Sequence, residues 1–339
     1  MLDENDYSAI RSELDCSSPL FFMHDDPDGL SSFLLLYRHC KKGNGVLVKT
    51  TPVVDAKYLR KVDEYRPDKI FVVDIAVVEQ EFIDKANAPV VWIDHHEPLN
   101  RSKVLYFNPR VKTREAYFPA TYICYRAVKQ DLWIAMVGCV GDWFLPEFSD
   151  EFAEQYPDLL DKGIKNPDDA LFKSKLGVLV RLFSFVLKGR TSDAMKCVRI
   201  LTRIKSPYDI LMQRTPEGKF LYRRYEKFNA EYQKLLSEAL SGIGKDKLFV
   251  FIYDTQTSFS SDLANNILYR YPDKFIIIGR EKDGEIRMSL RARDVMVLPR
   301  LKKALEGVEG YGGGHEYACG ANVKKKDFDK FVESLKRQL

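Results

Sequence analysis

The segment Trp92-Ile93-Asp94-His95-His96 follows the apolar run Ala88 to Val91 and puts a carboxylate and two imidazoles at the end of what reads as a buried strand. Four further segments place acids or a histidine in the same setting: Phe21-Phe22-Met23 before His24-Asp25-Asp26-Pro27-Asp28-Gly29, Ile70 to Val73 before Asp74, Ile134 to Val140 before Gly141-Asp142, and the glycine loop Gly312-Gly313-Gly314-His315. The chain has only five histidines, and all but His39 lie inside these segments. In open α/β sheets functional groups gather outside the carboxyl ends of the strands, where the loops converge on one crevice. If Asp26, Asp28, Asp74, Asp94 and Asp142 share that crevice, their charges repel in a partly desolvated place unless cations neutralise them or some carboxyls stay protonated. Two divalent metals answer the need. Adding His24 and His95 to the ligand set moves the preference from Mg²⁺ toward imidazole-accepting ions, with Mn²⁺ expected and zinc or cobalt also compatible. Such a pair suits phosphate-ester hydrolysis by activated water. No serine or cysteine stands in a convincing nucleophile setting, and there is no Walker-type phosphate loop.

Each feature taken singly has a plainer explanation. Asp94-His95-His96 could be a polar turn after a strand, Pro27-Asp28-Gly29 is good turn chemistry, and Asp74 or Asp142 could cap a following helix. Gly312 to Gly314 could be a flexible hairpin. Arg291 has Arg287 and Arg293 at alternate positions of one expected strand, so a solvated basic face competes with a ligand role. The ordered set of motifs outweighs these readings.

The elements that must position these residues follow from periodicity. The chain has 339 residues, enough for about two domains. Short apolar runs alternate with amphipathic segments up to about residue 145, as stacked βα units do. Strands are expected at Leu20 to Met23, Val46 to Thr50, Ile70 to Val73, Val90 to Ile93 and Val104 to Phe107. Helices are expected at Gly29 to His39, Ala56 to Tyr65, Glu79 to Ala86 and Pro119 to Lys129. Residues 146–244 turn helical and charged, a connector. Strands return at Leu248 to Tyr253, Phe275 to Ile278 and Glu285 to Arg291, then come the glycine loop, a run near Ala318 to Val323 and a closing helix from Lys326. The fold class is therefore α/β in both end domains, with divisions at 1–145, 146–244 and 245–339.

Lys and Arg total 53 against 49 Asp and Glu, a formal charge of +4, too weak a global field to drive nonspecific polyanion binding. The connector cations, among them Arg199, Arg203, Lys205, Arg223, Arg224 and Lys227, could contact a nucleic-acid backbone with Tyr222 and Tyr225 interleaved, but long helices carry such charges for solubility, and that reading is preferred. Six scattered cysteines without a CxxC pair and no secretory leader point to a reducing cytosol. Apolar stretches fall short of the roughly 20 residues of a membrane span.

The order His24-x-Asp26-x-Asp28-Gly29, Asp74, Asp94-His95-His96, Gly141-Asp142 resembles the metal-site motifs of the DHH phosphoesterase superfamily. Ser289-x-Arg291, Gly312-Gly313-Gly314-His315 and Ala318-Cys319-Gly320 resemble the DHHA1 domain of its RecJ-like and oligoribonuclease branch, and the histidine-first opening is most similar to archaeal RecJ-like exonucleases. The resemblance implies an N-terminal DHH domain, a helical connector and a smaller DHHA1 domain. It implies that His24, Asp26, Asp28, Asp74, His95 and Asp142 ligate two Mn²⁺, with Mg²⁺ or Co²⁺ as substitutes and Asp74 as the bridge. His96 would face the scissile phosphate or leaving oxygen, with Asp94 orienting its neighbours. Ser289, Arg291, Gly312, Gly313, Gly314 and His315 would bind substrate. The function implied is exonucleolytic hydrolysis of single-stranded DNA or RNA. The alternative is a phosphodiesterase of short oligonucleotides or a phosphatase of nucleoside bisphosphates. A noncatalytic replication or repair scaffold is disfavoured because every ligand position is filled. Helicase or replication partners are a family-level expectation; self-association as a homo-oligomer, polarity, DNA against RNA and substrate length stay open.

Overall fold

The computed structural model describes residues 2–49 and 52–339. It divides into two compact units, Met1–Tyr225 and Glu226–Leu339, and each is described by itself.

In the first unit a helix α1 (Glu4–Glu13), capped by Asp3, precedes β1 (Pro19–His24), α2 (Pro27–Cys40), β2 (Asn44–Val48), the short β3 (Val53–Val54), α3 (Leu59–Tyr65), β4 (Lys69–Val73), the short β5 (Val77–Val78), α4 (Gln80–Lys85), β6 (Val90–Ile93) and β7 (Val104–Phe107). Five of these strands form one wholly parallel sheet in the order β2-β1-β4-β6-β7, and β3 pairs with β5 separately. Parallel sheets are covered on both faces, so their strands carry continuous apolar runs. On one face Leu20, Phe22, Ile70, Val72, Val90 and Trp92 pack with Val62 of α3 and Phe82 of α4. On the other, Phe21 stacks on Phe71 and meets Phe33 of α2 edge-on. The strand expected over Val46 to Thr50 is β2, displaced toward its amino end; Thr50 lies outside the described residues.

The next helices are α5 (Pro109–Lys112), α6 (Ala120–Val128), α7 (Leu132–Gly141), α8 (Ser149–Gln155), α9 (Pro167–Lys173), α10 (Leu176–Val186), α11 (Thr191–Leu201), α12 (Pro207–Leu211) and α13 (Pro216–Ser241), the last crossing the boundary between units. Helices α6 and α7 pack on α2, and α10 packs on α7. Residues 134–140, whose apolar run suggests a strand end, therefore belong to a buried helix, and Asp142 is its C-cap residue. A short run that is apolar on all sides carries no period to separate the two states.

The second unit contains β8 (Leu248–Tyr253), α14 (Ser260–Arg270), β9 (Phe275–Lys282), β10 (Glu285–Arg291), α15 (Val297–Ala304), β11 (Gly310–Gly314), β12 (Ala318–Lys324) and α16 (Phe328–Lys336). Its sheet runs β11-β12-β10-β9-β8, antiparallel except for β8 with β9. Phe275, Ile277, Leu290, Leu301, Phe331 and Leu335 fill its core. The glycine loop of the sequence is thus an edge strand. Glycine weakens strands, which hides this from a propensity reading. Among the described residues no helix is long and apolar enough to cross a membrane.

Candidate metal centre

The carboxyl ends of β1, β4 and β6 lie side by side, since Met23 pairs with Val73 and Val73 with Ile93. The residues that leave these strands are His24, Asp74 and Asp94 to His96, so register alone brings them together. Asp74 sits in the left-handed region at φ 56°, which aspartate tolerates better than most residues, and its N–H donates to the Ile93 carbonyl. It is buried and caps no helix.

Asp26 is the N-cap of α2, accepting from the Gly29 N–H at 2.9 Å, with Pro27 in the first helical turn. The turn reading and the cluster reading of this segment coexist. Asp28 accepts from the backbone N–H groups of Ala120 and Thr121 at 2.9 and 2.7 Å and so ties α2 to the start of α6. A Cβ on Gly29 would lie 2.7 Å from the His24 backbone nitrogen and oxygen, so glycine is what lets α2 start this close to β1. Gly141 does the same for Asp142, since a Cβ there would meet Pro27 at 2.7 Å.

These contacts gather the six expected metal ligands. His24 Nδ1 is 2.8 Å from Asp26 Oδ2 and 3.3 Å from Asp74 Oδ2. His95 Nε2 is 3.3 Å from Asp74 Oδ1, 3.6 Å from Asp142 Oδ2 and 3.8 Å from Asp28 Oδ2. Three groups place ligand atoms within 4.8 Å of one another: His24, Asp26 and Asp74; Asp28, His95 and Asp142; and Asp74, His95 and His96. Asp74 and His95 each belong to two of them. Asp94, fully buried, accepts from the His96 N–H at 3.0 Å and pairs with His96 Nδ1 at 2.7 Å. It orients His96 rather than joining the cluster.

Burial disfavours charge on His24, yet the carboxylates of Asp26 and Asp74 outweigh it and hold the imidazolium well above the usual histidine range. His95 is raised in the same way, burial being overcome by Asp142, Asp74 and Asp28. Burial pushes the Asp142 carboxyl up to about 6 against the pull of His95. Burial, then the Asp74 and Asp142 charges, also push Asp28 well above its ordinary value. For Asp74 burial acts upward, but the imidazoles of His24 and His95 take it far below the carboxylate range.

The donor set fits divalent cations. His24 Nδ1, Asp74 Oδ2 and His95 Nδ1 are buried without a hydrogen-bond partner despite their charged neighbours, a cost that coordination removes for the atoms facing the cluster. Mixed carboxylate and imidazole donors suit Mn²⁺ better than Mg²⁺.

Without metal, the raised values of Asp142, His24 and His95 all make the folded protein a better proton binder than the unfolded chain. Their stabilisation is present at low pH and is lost as pH rises, for Asp142 through about 6 and for the histidines above their usual range. EDTA-treated protein is thus expected to melt at a lower temperature at about pH 8 than at about pH 5.5, with Mn²⁺ restoring the loss and releasing protons on binding. Thermal melts at the two pH values check this, and a pH-independent melting temperature contradicts it.

In the second unit, Ser289 and Gly313 both pair with Gly320 of β12, and Arg291 follows two residues after Ser289 on the same side of β10. Ser289 Oγ shares a hydrogen bond with Ser261 Oγ at 2.9 Å. Arg291 donates to Asn265 Oδ1 at 2.8 Å and to the Leu290 and Cys319 carbonyls at 2.9 and 3.1 Å. It differs from the exposed Arg287 and Arg293, so the solvated-face reading does not extend to it. Burial pulls its pKa down to about 10, leaving it cationic at neutral pH. Gly312 and Gly314 lie against Gly320 and Ala318 carbonyls, while Gly313 faces open space. His315, exposed, opens the turn that closes the β11–β12 hairpin, exchanging backbone hydrogen bonds with Ala318. The sixth cysteine, Cys319, is buried and donates its thiol to the His315 carbonyl at 3.2 Å.

Three participants went unassigned in the sequence. Asp25 stands 3.7 Å from His24 Nε2, on the other edge of the ring from Asp26. Asn108 donates to the His96 carbonyl at 3.0 Å and to Tyr106 Oη at 2.8 Å, supporting the His96 backbone. The Tyr117 hydroxyl lies 2.7 Å from the Asp142 carbonyl and 2.9 Å from Asp142 Oδ2, while its ring meets His95 edge-on at 5.7 Å. Nothing in the local pattern around Tyr117 signals this. Its substitution by phenylalanine keeps the ring and frees the carboxylate, and is expected to weaken Mn²⁺ binding by ~10–100-fold, as loss of outer contacts to metal ligands does. Titration of Mn²⁺ by calorimetry measures it, and unchanged affinity would remove Tyr117 from the centre.

The family model for the DHH family N-terminal domain matches residues 20–134, and that for the DHHA1 domain matches residues 245–339. No curated protein matches the sequence. Among solved structures, RecJ from Thermus thermophilus in complex with Mn²⁺ aligns at a TM-score of 0.69 and 14% identity, over 98% of this chain and 54% of that one. The chain therefore spans about half the length of that RecJ. A structure described as exonuclease RecJ bound to manganese aligns at 0.62 and 16% identity, over 98% and 93% of the two chains. The PF0399 DHH domain, described as a member of the s1p family of ribosomal proteins, aligns at 0.67 and 14%, over 98% and 89%. At these identities the likeness to the solved structures is one of fold.

Proposed function

The chain belongs to the DHH/DHHA1 superfamily, and on that premise we propose that this metal-dependent enzyme is an exonuclease that releases nucleotides from an end of single-stranded DNA or RNA. The observation that carries the reading is the interlocked set of His and Asp ligands sharing Asp74 and His95. His24, Asp26 and Asp74 would hold one Mn²⁺, and Asp28, His95, Asp142 and Asp74 the other. When bound, the pair supplies activated water and stabilises negative charge on the phosphate.

The chain's own groups do the rest. Asp94 occupies Nδ1 of His96 and, although burial opposes charge, raises its pKa, so the imidazolium form keeps Nε2 as a donor toward the leaving oxygen. Asn108 and the Asp94 carboxylate fix the His96 backbone from both sides. Arg291 offers a planar cation that pairs with phosphate oxygens, and Ser289, Gly312, Gly313, Gly314 and His315 complete a grip for the terminal nucleotide. An unstacked strand reaches such a site more readily than a duplex end.

The test is digestion of end-labelled single-stranded DNA, RNA and dinucleotides with Mn²⁺, Mg²⁺ and EDTA. Ladders of shortening products with Mn²⁺ are expected. Cleavage of dinucleotides alone would replace the reading with a short-oligonucleotide phosphodiesterase, and tight binding without cleavage would replace it with a scaffold.

A further inference from the structure

Strand β2 forms one edge of the first sheet and, among the described strands, pairs with β1 alone, so the N–H and C=O groups along its outer side face away from the sheet. That edge opens into a groove of about 560 Å³ between α3 and α11. Its described lining contains four cations, Lys49, Arg60, Lys61 and Arg199, and no aspartate or glutamate. Lys49 is committed to structure, donating to the Leu187 and Gly189 carbonyls at 2.7 and 3.0 Å. Lys61 pairs with Glu64 at the surface. Arg60 and Arg199, one from each wall, are exposed and form no ion pair among the described residues. Three tyrosines, Tyr37, Tyr58 and Tyr65, line the same groove.

The groove also has a direction. Val48, the last residue of β2, pairs with His24, so the carboxyl end of the edge strand stands next to the metal cluster. Lys49 follows it and acts electrostatically on Asp25, the neighbour of His24. A polyanion lying along β2 would therefore run toward the strand end that neighbours the proposed reaction centre.

We propose that this groove holds the single-stranded continuation of the nucleic-acid substrate, with Arg60 and Arg199 on its phosphates and the tyrosines beside its bases. The proposal rests on the exonuclease reading and deepens it. Arginines outside any ion pair suit phosphate because their forks bind its oxygens in pairs, and Arg199, whose Nε donates to the Met195 carbonyl at 3.3 Å, keeps its two terminal nitrogens for that role. Interleaved aromatic rings add stacking surface that accepts any base, a combination common in grooves for single strands. An extended acidic peptide could satisfy the open backbone of β2 and the arginines, but it would leave the proximity to the metal cluster without a role.

The experiment compares R60E/R199E with wild type, using the whole chain with Mn²⁺ on single strands of about 4 and about 20 nucleotides, the longer exceeding the site size of one binding groove. The ratio of kcat/KM on the long strand to that on the short one is expected to fall tenfold or more. In EDTA, fluorescence polarisation of the labelled long strand should show weaker binding, with a salt dependence shallower by about 0.7 per lost phosphate contact. R60K/R199K, which keeps the charges, should recover most of the long-strand binding. An unchanged ratio with unchanged long-strand binding overturns the proposal, as does wild-type protein that binds labelled poly-glutamate readily and no oligonucleotide. If wild type cleaves nothing yet binds the long strand through these arginines, the exonuclease reading fails and the groove stands.

Discussion

Asp74→Ala is expected to reduce hydrolysis by more than a thousandfold at any Mn²⁺ concentration, the largest effect of any single substitution in this chain. Loss of a contact that merely orients a ligand costs about 10–100-fold, and Asp74 stands closer than that. Its two oxygens approach His24 and His95 separately, so its carboxylate reaches both halves of the cluster. It is also held well below the ordinary carboxylate range, where it stays ionised in the presence or absence of metal. Removing it leaves two imidazoles without their shared counter-charge and would leave the two proposed cations without a common ligand. Calorimetry on the variant should show Mn²⁺ binding weakened and its stoichiometry reduced. Near-normal turnover, or two full equivalents bound with unchanged affinity, would overturn the two-metal assignment.

Gly29→Ala is expected to be nearly as damaging although the new methyl group carries no charge. The added carbon would sit 2.7 Å from both the nitrogen and the oxygen of His24 and 2.8 Å from its Cβ, contacts that backbone cannot yield to as a long side chain could. Overpacking of this kind costs about 1–3 kcal/mol. Relief of the clash must push the start of α2 away from the end of β1. That movement separates Asp26 and Asp28 from His24, so Mn²⁺ affinity and turnover should fall together with stability. A denaturant melt and a Mn²⁺ titration on the same preparation would show it; a variant with wild-type affinity and reduced stability alone would mean that the cluster tolerates the shift.

The sequence carried most of the first sheet because β1, β4 and β6 are buried on both faces, and unbroken apolar runs ending in polar residues have few other interpretations. It carried the close approach of His24, Asp74 and His95 for the same reason: in a parallel sheet the residues after adjacent strands emerge side by side. Asp142 arrives by a different route, from the end of α7, and the uniformly apolar segment before it gave no period by which to recognise a helix. The glycine strand β11 was equally opaque, since glycine lacks the side chains from which strands are read. Tyr117 joins the cluster from a loop between α5 and α6, where neither spacing nor composition hints at its target. Asn108 was closer to legible, standing directly after an expected strand and before a proline.

The position of Asp142 has a bearing on how the finished molecule acquires its ions. In a chain emerging from the ribosome the register of β1, β4 and β6 already unites His24 and Asp74 with His95, but Asp142 joins them only once α7 has docked on α2. Cations captured there stabilise only that closed state, by an amount set by their free concentration relative to the dissociation constant. The supply of the divalent ion would consequently set how far the assembled unit is favoured over the open chain, and protein stripped of the ion should unfold at a lower temperature than protein loaded with it.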